Sequence, residues 1–139
     1  MPPLFATRPP AVQLVLILVV PAVFGTVAGV LLGVSAGAYW ALQGLGVLGG
    51  FFAGLEHPTA ADGADRGLLG GAVFGSFLLL AHAISGADAK VDLGQWPGVL
   101  IVFTSIAGAL LGALGGARRA ASERRSERPR QDSNLRPTA

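Results

Sequence analysis

His82 is the ionisable residue that lies deepest within a long apolar stretch of this sequence. Ionisable side chains inside membrane-spanning segments mark ion or proton pathways by default, and histidine changes charge near neutral pH. His82 is therefore a candidate proton or ion site. The alternative is a neutral histidine hydrogen-bonded to a neighbour close to the water boundary, because the apolar stretch ends about 6 Å further along a helix.

Glu56 and His57 form a second candidate site, next to the end of another apolar stretch. Adjacent residues of a helix point in different directions, and two isolated ligands are too few for a metal site. An ion gate that uses Glu56 is one interpretation. The other is a solvated pair at the membrane surface, with an exposed salt bridge from Glu56 to Arg66 across the short loop.

The sequence shows no catalytic constellation. It has no cysteine, and it contains no H-E-x-x-H motif, phosphate-binding loop or nucleophile–base pair. The remaining polar residues in or near the apolar stretches are expected to form hydrogen bonds within and between helices, although four of them (Gln43, Ser76, Thr104 and Ser105) are also candidates for a wet pathway. The full set is Gln13, Thr26, Gln43, Ser76, Ser85, Thr104 and Ser105. We therefore expect no enzymatic activity, no cofactor and no bound metal.

The elements that must position these residues are apolar helices. Of 139 residues, 52% are hydrophobic and only 13% are charged. Stretches of 18 or more apolar residues predict transmembrane helices. Four are predicted, at about 11–32, 38–55, 67–86 and 97–116. The predicted fold is thus an all-α, up-down bundle of four transmembrane helices, in a chain whose arginine-, alanine- and glycine-rich composition suggests a bacterial source.

Local signals refine this prediction. Residues 11–55 carry no charge and would make a helix about twice as long as a bilayer core is thick, so the chain must turn within them. We expect the turn at residues 33–37, with glycines at positive φ. Pro21 should kink the first span, and Asp65 should cap the third. The first span also resembles a signal peptide with cleavage after Ala36-Gly37-Ala38, although its apolar run is longer than usual.

Glycines recur every fourth residue in each predicted span, which places them on one face of a helix. Such stripes, called glycine zippers, allow close approach of helix backbones in a bilayer. The predicted helix-packing residues are Gly25, Gly29, Gly33, Gly46, Gly50, Gly54, Gly67, Gly71, Gly75, Gly108, Gly112 and Gly116. We expect the stripes of spans 2, 3 and 4 to meet within one chain. The stripe of span 1, centred on Gly29, would remain free for another copy.

Basic residues predict the orientation of the bundle. With four spans both termini lie on one side, together with nine of the ten Lys and Arg residues, so we place both termini in the cytoplasm and the chain in the inner (plasma) membrane. Tyr39, Trp40 and Trp96 then become anchors at the outer interface. Residues 1–10 form a cytoplasmic arm, 11–116 the transmembrane domain, and 117–139 a basic, disordered tail.

The end of the tail has an alternative origin. Residues 132–134, Asp-Ser-Asn, can be encoded by GATTCGAAC, whose complement resembles the T-arm of a transfer RNA gene. On this hypothesis, residues from about 130 onward arise because the reading frame runs antisense into a transfer RNA gene. A coding sequence that does not match a T-arm would exclude it.

The leading functional prediction is a non-enzymatic membrane protein that packs with itself or with a membrane protein partner. Its partners are the lipid bilayer and other membrane helices, and no basic face predicts nucleic-acid binding. The alternative is a channel or transporter subunit for a small ion or solute, made proton-sensitive by His82. A third interpretation is an envelope sensor that uses the acidic loop at residues 87–95.

Overall fold

The computed structural model describes residues 2–134, with the backbone alone over 127–134. This part of the chain is helical and contains no strand. Four helices follow a short 3-10 turn at Phe5–Thr7. Helix α1 spans Pro10–Val34, α2 Ala36–Gly54, α3 Ala60–Ser85 and α4 Val99–Asn134.

Helix α1 contains a π-helical segment at Val15–Val19, just before Pro21. The Val20 N–H donates to the carbonyl oxygen of Val15, five residues back. Proline has no N–H and its ring crowds the carbonyl one turn earlier, so the helix must rearrange there. The irregularity expected from Pro21 therefore takes the form of a π-helical turn.

The turn between α1 and α2 lies within the predicted residues 33–37, but its predicted mechanism is wrong. Ser35 adopts an extended conformation with φ −155°, and its side chain accepts a hydrogen bond from the Ala38 N–H at 3.4 Å. Within residues 2–134, positive φ occurs only at Gly86 and Gly94. The N-cap serine thus makes the turn, and the neighbouring glycines remain in ordinary conformations.

Helix α3 begins earlier than predicted because Thr59, not Asp65, caps it. The Thr59 side-chain oxygen accepts from the Asp62 N–H at 3.1 Å and lies 2.6 Å from the Asp62 carboxylate. The Thr59 hydroxyl therefore caps the helix by accepting from the Asp62 N–H, and it donates to the carboxylate of the same residue. Arg66 consequently lies inside the helix, about two turns after its capped start.

The four helices connect the same two ends of the molecule. At the end that we call the base, the N-terminal residues 2–9 lie against the loop between α2 and α3. At the opposite end, the top, the Lys90 N–H of the α3–α4 loop donates to the Leu32 carbonyl oxygen of α1 at 2.8 Å. Helix α3 packs against α1 on one side and α4 on the other, and α2 packs mainly on α4.

Three helices are long and apolar enough to cross a membrane: Pro10–Val34, Ala60–Ser85 and Val99–Ser126. Most of their large apolar side chains are exposed, as expected of a surface that faces lipid rather than water. Helix α2 does not reach the same hydropathy because it contains Gln43, Tyr39 and several glycines. The structure thus supports a membrane protein with three candidate spans.

The prediction of a disordered tail from residue 117 is wrong up to Asn134, because α4 continues as a helix through these residues. Alanine, arginine and glutamate are strong helix formers, and Arg119 pairs with Glu123 at 2.8 Å with the favourable i, i+4 spacing. The disorder and read-through predictions for residues 135–139 lie outside the described residues.

Candidate functional site

Helices α3 and α4 meet through glycines in an antiparallel register. A Cβ atom added at Gly67 would collide with the carbonyl oxygen of Gly108, and one added at Gly108 would collide with that of Gly67. One turn away, Gly112 lies in the same way against Gly63. The backbones therefore touch, which leaves no space for a side chain in this contact.

The same contact continues toward both ends of the two helices. Gly71 lies against the backbone of Thr104, Gly75 against Ile101, and Gly116 against Thr59. Helix α3 is thus in backbone contact with α4 from the base to beyond its midpoint.

The glycines of α1 pack within the chain, so the prediction that they remain free for another copy is wrong. A Cβ atom at Gly25 would collide with the Phe74 carbonyl oxygen, and one at Gly29 would lie 2.9 Å from the Ala81 Cβ. Gly33 approaches Ala87 in the loop after α3. The α1 stripe is occupied because α1 and α3 run parallel and side by side.

Only some of the glycines of α2 contact another helix. Gly54 lies against the backbone of Gly112, and a Cβ atom at Gly50 would make a 3.4 Å contact with the Leu111 side chain. At Gly44, Gly46 and Gly49, an added Cβ atom would have no neighbour within 4 Å. Gly44 and Gly49 are exposed and lie about 140° apart around the helix, whereas Gly46 is half-buried. We call the exposed surface of α2 that extends around the helix from Gly44 to Gly49 the open glycine face.

Polar side chains proposed for a wet pathway point in different directions. The Thr104 hydroxyl lies 2.9 Å from the Gly71 carbonyl oxygen of α3 and 2.9 Å from the Leu100 carbonyl oxygen of its own helix. Ser105 donates to the Ile101 carbonyl oxygen at 2.7 Å, whereas Ser76 is exposed. Thr104 therefore links α3 to α4, whereas Gln43 lies half-buried on α2.

His82 lies near the top of α3, on the side that faces Gly29 of α1. Its Nδ1 atom is buried and has no hydrogen-bond partner among the described residues. Glu56 lies at the base, in contact with Arg66. Sixteen residues of helix separate Arg66 from His82, or about 24 Å, so His82 and Glu56 do not form one site.

Glu56 is the centre of an ionic cluster at the base. Its carboxylate accepts from Arg8 Nη2 at 2.5 Å and from Arg66 Nη1 at 3.0 Å. The predicted Glu56–Arg66 pair is confirmed, but it is largely buried rather than exposed. Two guanidinium groups share one carboxylate. The negative charge of Glu56 is therefore balanced, and the cluster of Arg8, Arg66 and Glu56 carries a net positive charge.

Phe5 inserts into this cluster. Its N–H donates to the Glu56 carbonyl oxygen at 2.8 Å, and its ring lies 5.2 Å from the His57 ring and 4.2 Å below the Arg66 guanidinium. Arg66 Nη1 lies 3.4 Å from His57 Nε2. Burial, and then the charge of Arg66, lower the pKa of His57 below its ordinary 6.5, against weaker opposite effects of Asp62 and Glu56.

Arg119 ties three segments together at the base. Its Nη1 donates to the carbonyl oxygens of Pro2 at 2.8 Å and Leu55 at 2.9 Å, while its Nε donates to Glu123. Arg119 is buried, and its carbonyl partners belong to the N-terminal arm and the end of α2. A buried arginine with this set of acceptors is a structural clamp.

The predicted interface anchors differ in exposure. Trp40 and Trp96 are 60% and 76% exposed, whereas Tyr39 is 3% exposed. Tyr39 packs with Ala28, Leu32 and Leu78 in the core near the top. Tyr39 thus contributes to the core, while the two tryptophans are available to an interface.

The roles of Phe5, Arg8 and Arg119 were not predicted from the sequence. The Arg8–Glu56 pair could have been predicted from opposite charges, because Arg8 is the only charged residue of the arm and Glu56 is the first acidic residue of the chain. Within the described chain, no three His, Asp or Glu side chains come together as a metal site would require.

Comparisons with models of protein families, with curated proteins and with solved structures found no match.

Proposed function

We propose that this chain is a non-enzymatic integral membrane protein that assembles with a second copy of itself through the open glycine face of α2. The observation that carries this proposal is the contrast among the glycines. Those of α1, α3 and α4 lie against neighbouring segments, whereas a Cβ atom added at Gly44, Gly46 or Gly49 would have no neighbour within 4 Å among the described residues. Glycine in a helix costs about 1 kcal/mol relative to alanine, and packing inside the chain does not offset that cost here.

The proposal places α2 in the bilayer with the three candidate spans. Helix α2 has 19 residues, which corresponds to about 28 Å and is close to the thickness of a bilayer core. It begins at the top beside the end of α1 and ends at the base beside Gly112 of α4. If the three candidate spans cross, α2 must cross as well.

The open glycine face has both hollows at glycines and protruding large side chains, as close packing of two helices needs. Gly44 lies one turn from the exposed Trp40 and Leu48, and Gly49 lies one turn from the exposed Leu45. Large side chains of one copy can therefore enter the glycine hollows of the other. A two-fold axis would make the contact self-complementary. The many arginines at the base favour a cytoplasmic base.

The test is the mass of the protein in a mild detergent, measured by light scattering. Wild-type protein should be a dimer, and Gly49→Leu should be a monomer because the new side chain fills the hollow. Gly70→Leu is the matched control, since Gly70 on α3 faces only Pro21 Cγ at 3.7 Å and should leave the dimer intact. A monomeric wild-type protein, or an unchanged mass for Gly49→Leu, would contradict the proposal.

A second candidate function is a proton-sensitive channel or transporter subunit. Its support is the buried, unpartnered Nδ1 atom of His82 in the described chain. Proton flux in liposomes that disappears in His82→Ala would favour it over the assembly role.

A further inference from the structure

A groove of about 320 Å³ lies at the base, where α2 ends beside α4. It is lined by Pro2 of the arm, by Phe51 and Leu55 of the α2 end, and by Arg118 and Ser122 of α4. The groove is not part of the open glycine face, which lies higher on α2.

The groove has an apolar side and a cationic side. Phe51 precedes Leu55 by one turn, so it lies deeper toward the predicted membrane interior. Arg118 follows the last packed glycine of α4, Gly116, by two residues, and Ser122 lies one turn beyond Arg118. The apolar wall therefore lies toward the middle of the bundle, and the polar wall lies toward its end.

Arg118 differs from the other basic residues near the bundle. Arg8 and Arg66 share Glu56, and Arg119 binds Glu123. Arg118 is exposed and makes no ion pair with any side chain that the structure describes. Its guanidinium is thus available for the bidentate contact that arginine makes with phosphate.

We propose that this groove binds the headgroup of an anionic phospholipid. Arg118 contacts the phosphate, Ser122 supplies a hydroxyl, and the glycerol end of the lipid lies against Phe51 and Leu55. Charge complementarity favours this occupant, because Arg124 and Arg125 nearby are also exposed and add positive potential. The inference needs only that the base lies at a membrane surface and is independent of dimerisation.

The experiment titrates phosphatidylglycerol, with phosphatidylcholine as reference, into the full-length protein in detergent micelles and measures bound lipid by native mass spectrometry. Wild-type protein should prefer phosphatidylglycerol. Arg118→Gln should weaken that binding about fivefold, the equivalent of about 1 kcal/mol for one basic residue at a membrane surface. Arg125→Gln is the matched control, since it removes the same charge about 10 Å further along α4 and should change binding less than about twofold.

Three results would overturn the proposal. Equal weakening by Arg118→Gln and Arg125→Gln would show diffuse attraction to the whole basic helix. Equal binding of the two lipids would show that no anionic headgroup is recognised. Displacement of phosphatidylglycerol by an equal concentration of inorganic phosphate would show a site for the free ion. The melting temperature of each variant establishes that it is folded.

Discussion

At the scale of single residues, the meaning of a glycine depends on what lies opposite it. Gly67 and Gly46 occupy the same kind of position, inside an apolar helix and within a four-residue repeat. Gly67 touches the backbone of Gly108, whereas no atom of the described residues lies within 4 Å of a Cβ atom added at Gly46. The repeat identifies faces that permit close approach, but it does not identify the partner of each face.

This difference predicts opposite effects for one substitution. Gly67→Ala should lower the free energy of unfolding by about 1–3 kcal/mol, because the methyl group overpacks the α3–α4 contact. Gly46→Ala should leave it unchanged or raise it by up to about 1 kcal/mol, because alanine is the better helix former and has open space. The measurement is unfolding by a denaturing detergent, followed by helix content, with each change made in the Gly49→Leu protein, which we expect to be monomeric.

A Gly67→Ala variant as stable as the wild type would show that the α3–α4 backbones are further apart than the structure has them. Gly46→Ala provides the control, since it makes the same chemical change at a site without a neighbour.

At the scale of elements, the N-terminal arm is a docked segment rather than a free extension. Phe5 is 8% exposed, Arg8 pairs with Glu56, and the Pro2 carbonyl oxygen accepts from Arg119. The arm therefore joins α1 to the α2–α3 loop and to α4. Because His57 lies beneath Phe5, the docking should depend on pH.

We expect the docked arm to loosen in mild acid. Burial is the main cause that lowers the pKa of His57 below 6.5, and the Phe5 ring of the docked arm contributes to that burial, so the released state binds a proton more readily than the docked state. The stabilisation by neutral His57 is fully present above pH 6.5 and is lost as the pH falls from 6.5 through the lowered pKa. Protonated His57 would also face the guanidinium of Arg66, although Asp62 and Glu56 partly offset that repulsion.

The measurement is hydrogen exchange at the Phe5 amide, which donates to the Glu56 carbonyl oxygen. Its protection factor already corrects for the intrinsic pH dependence of exchange, and it should fall as the pH is lowered through this range. In His57→Gln, which does not titrate, the fall should be absent. A protection factor that falls equally in both proteins would assign the effect to other groups.

At the scale of the whole molecule, the sequence was sufficient for the class of fold and insufficient for the neighbours of each helix. Apolar length predicted helices at all four places, because burial of the backbone in lipid requires helix. The order of packing depends on shape matching between distant segments. For this reason the Gly29 stripe was assigned to another copy, although α3 covers it.

The base of the molecule was the part least accessible to sequence reasoning. The Glu56–Arg66 pair follows from proximity in the chain, and it was predicted. The contacts of Glu56 with Arg8 and of Arg119 with Pro2 join residues separated by 48 and 117 positions. No local pattern encodes such contacts, since they depend on how the arm, the loop and α4 meet in space.

The central claim is that copies of this protein meet at the open glycine face of α2, and cysteine cross-linking in native membranes tests it most directly. The chain has no cysteine, so Leu48→Cys introduces a single thiol at an exposed position of this face without adding a side chain to a glycine. Leu110→Cys is the depth-matched control, because Gly50 packs beside Leu111 and Leu110 is exposed on α4. Mild oxidation should link Leu48→Cys into a dimer and leave Leu110→Cys monomeric. Equal linking at both positions, or linking at Leu110→Cys alone, would contradict the account.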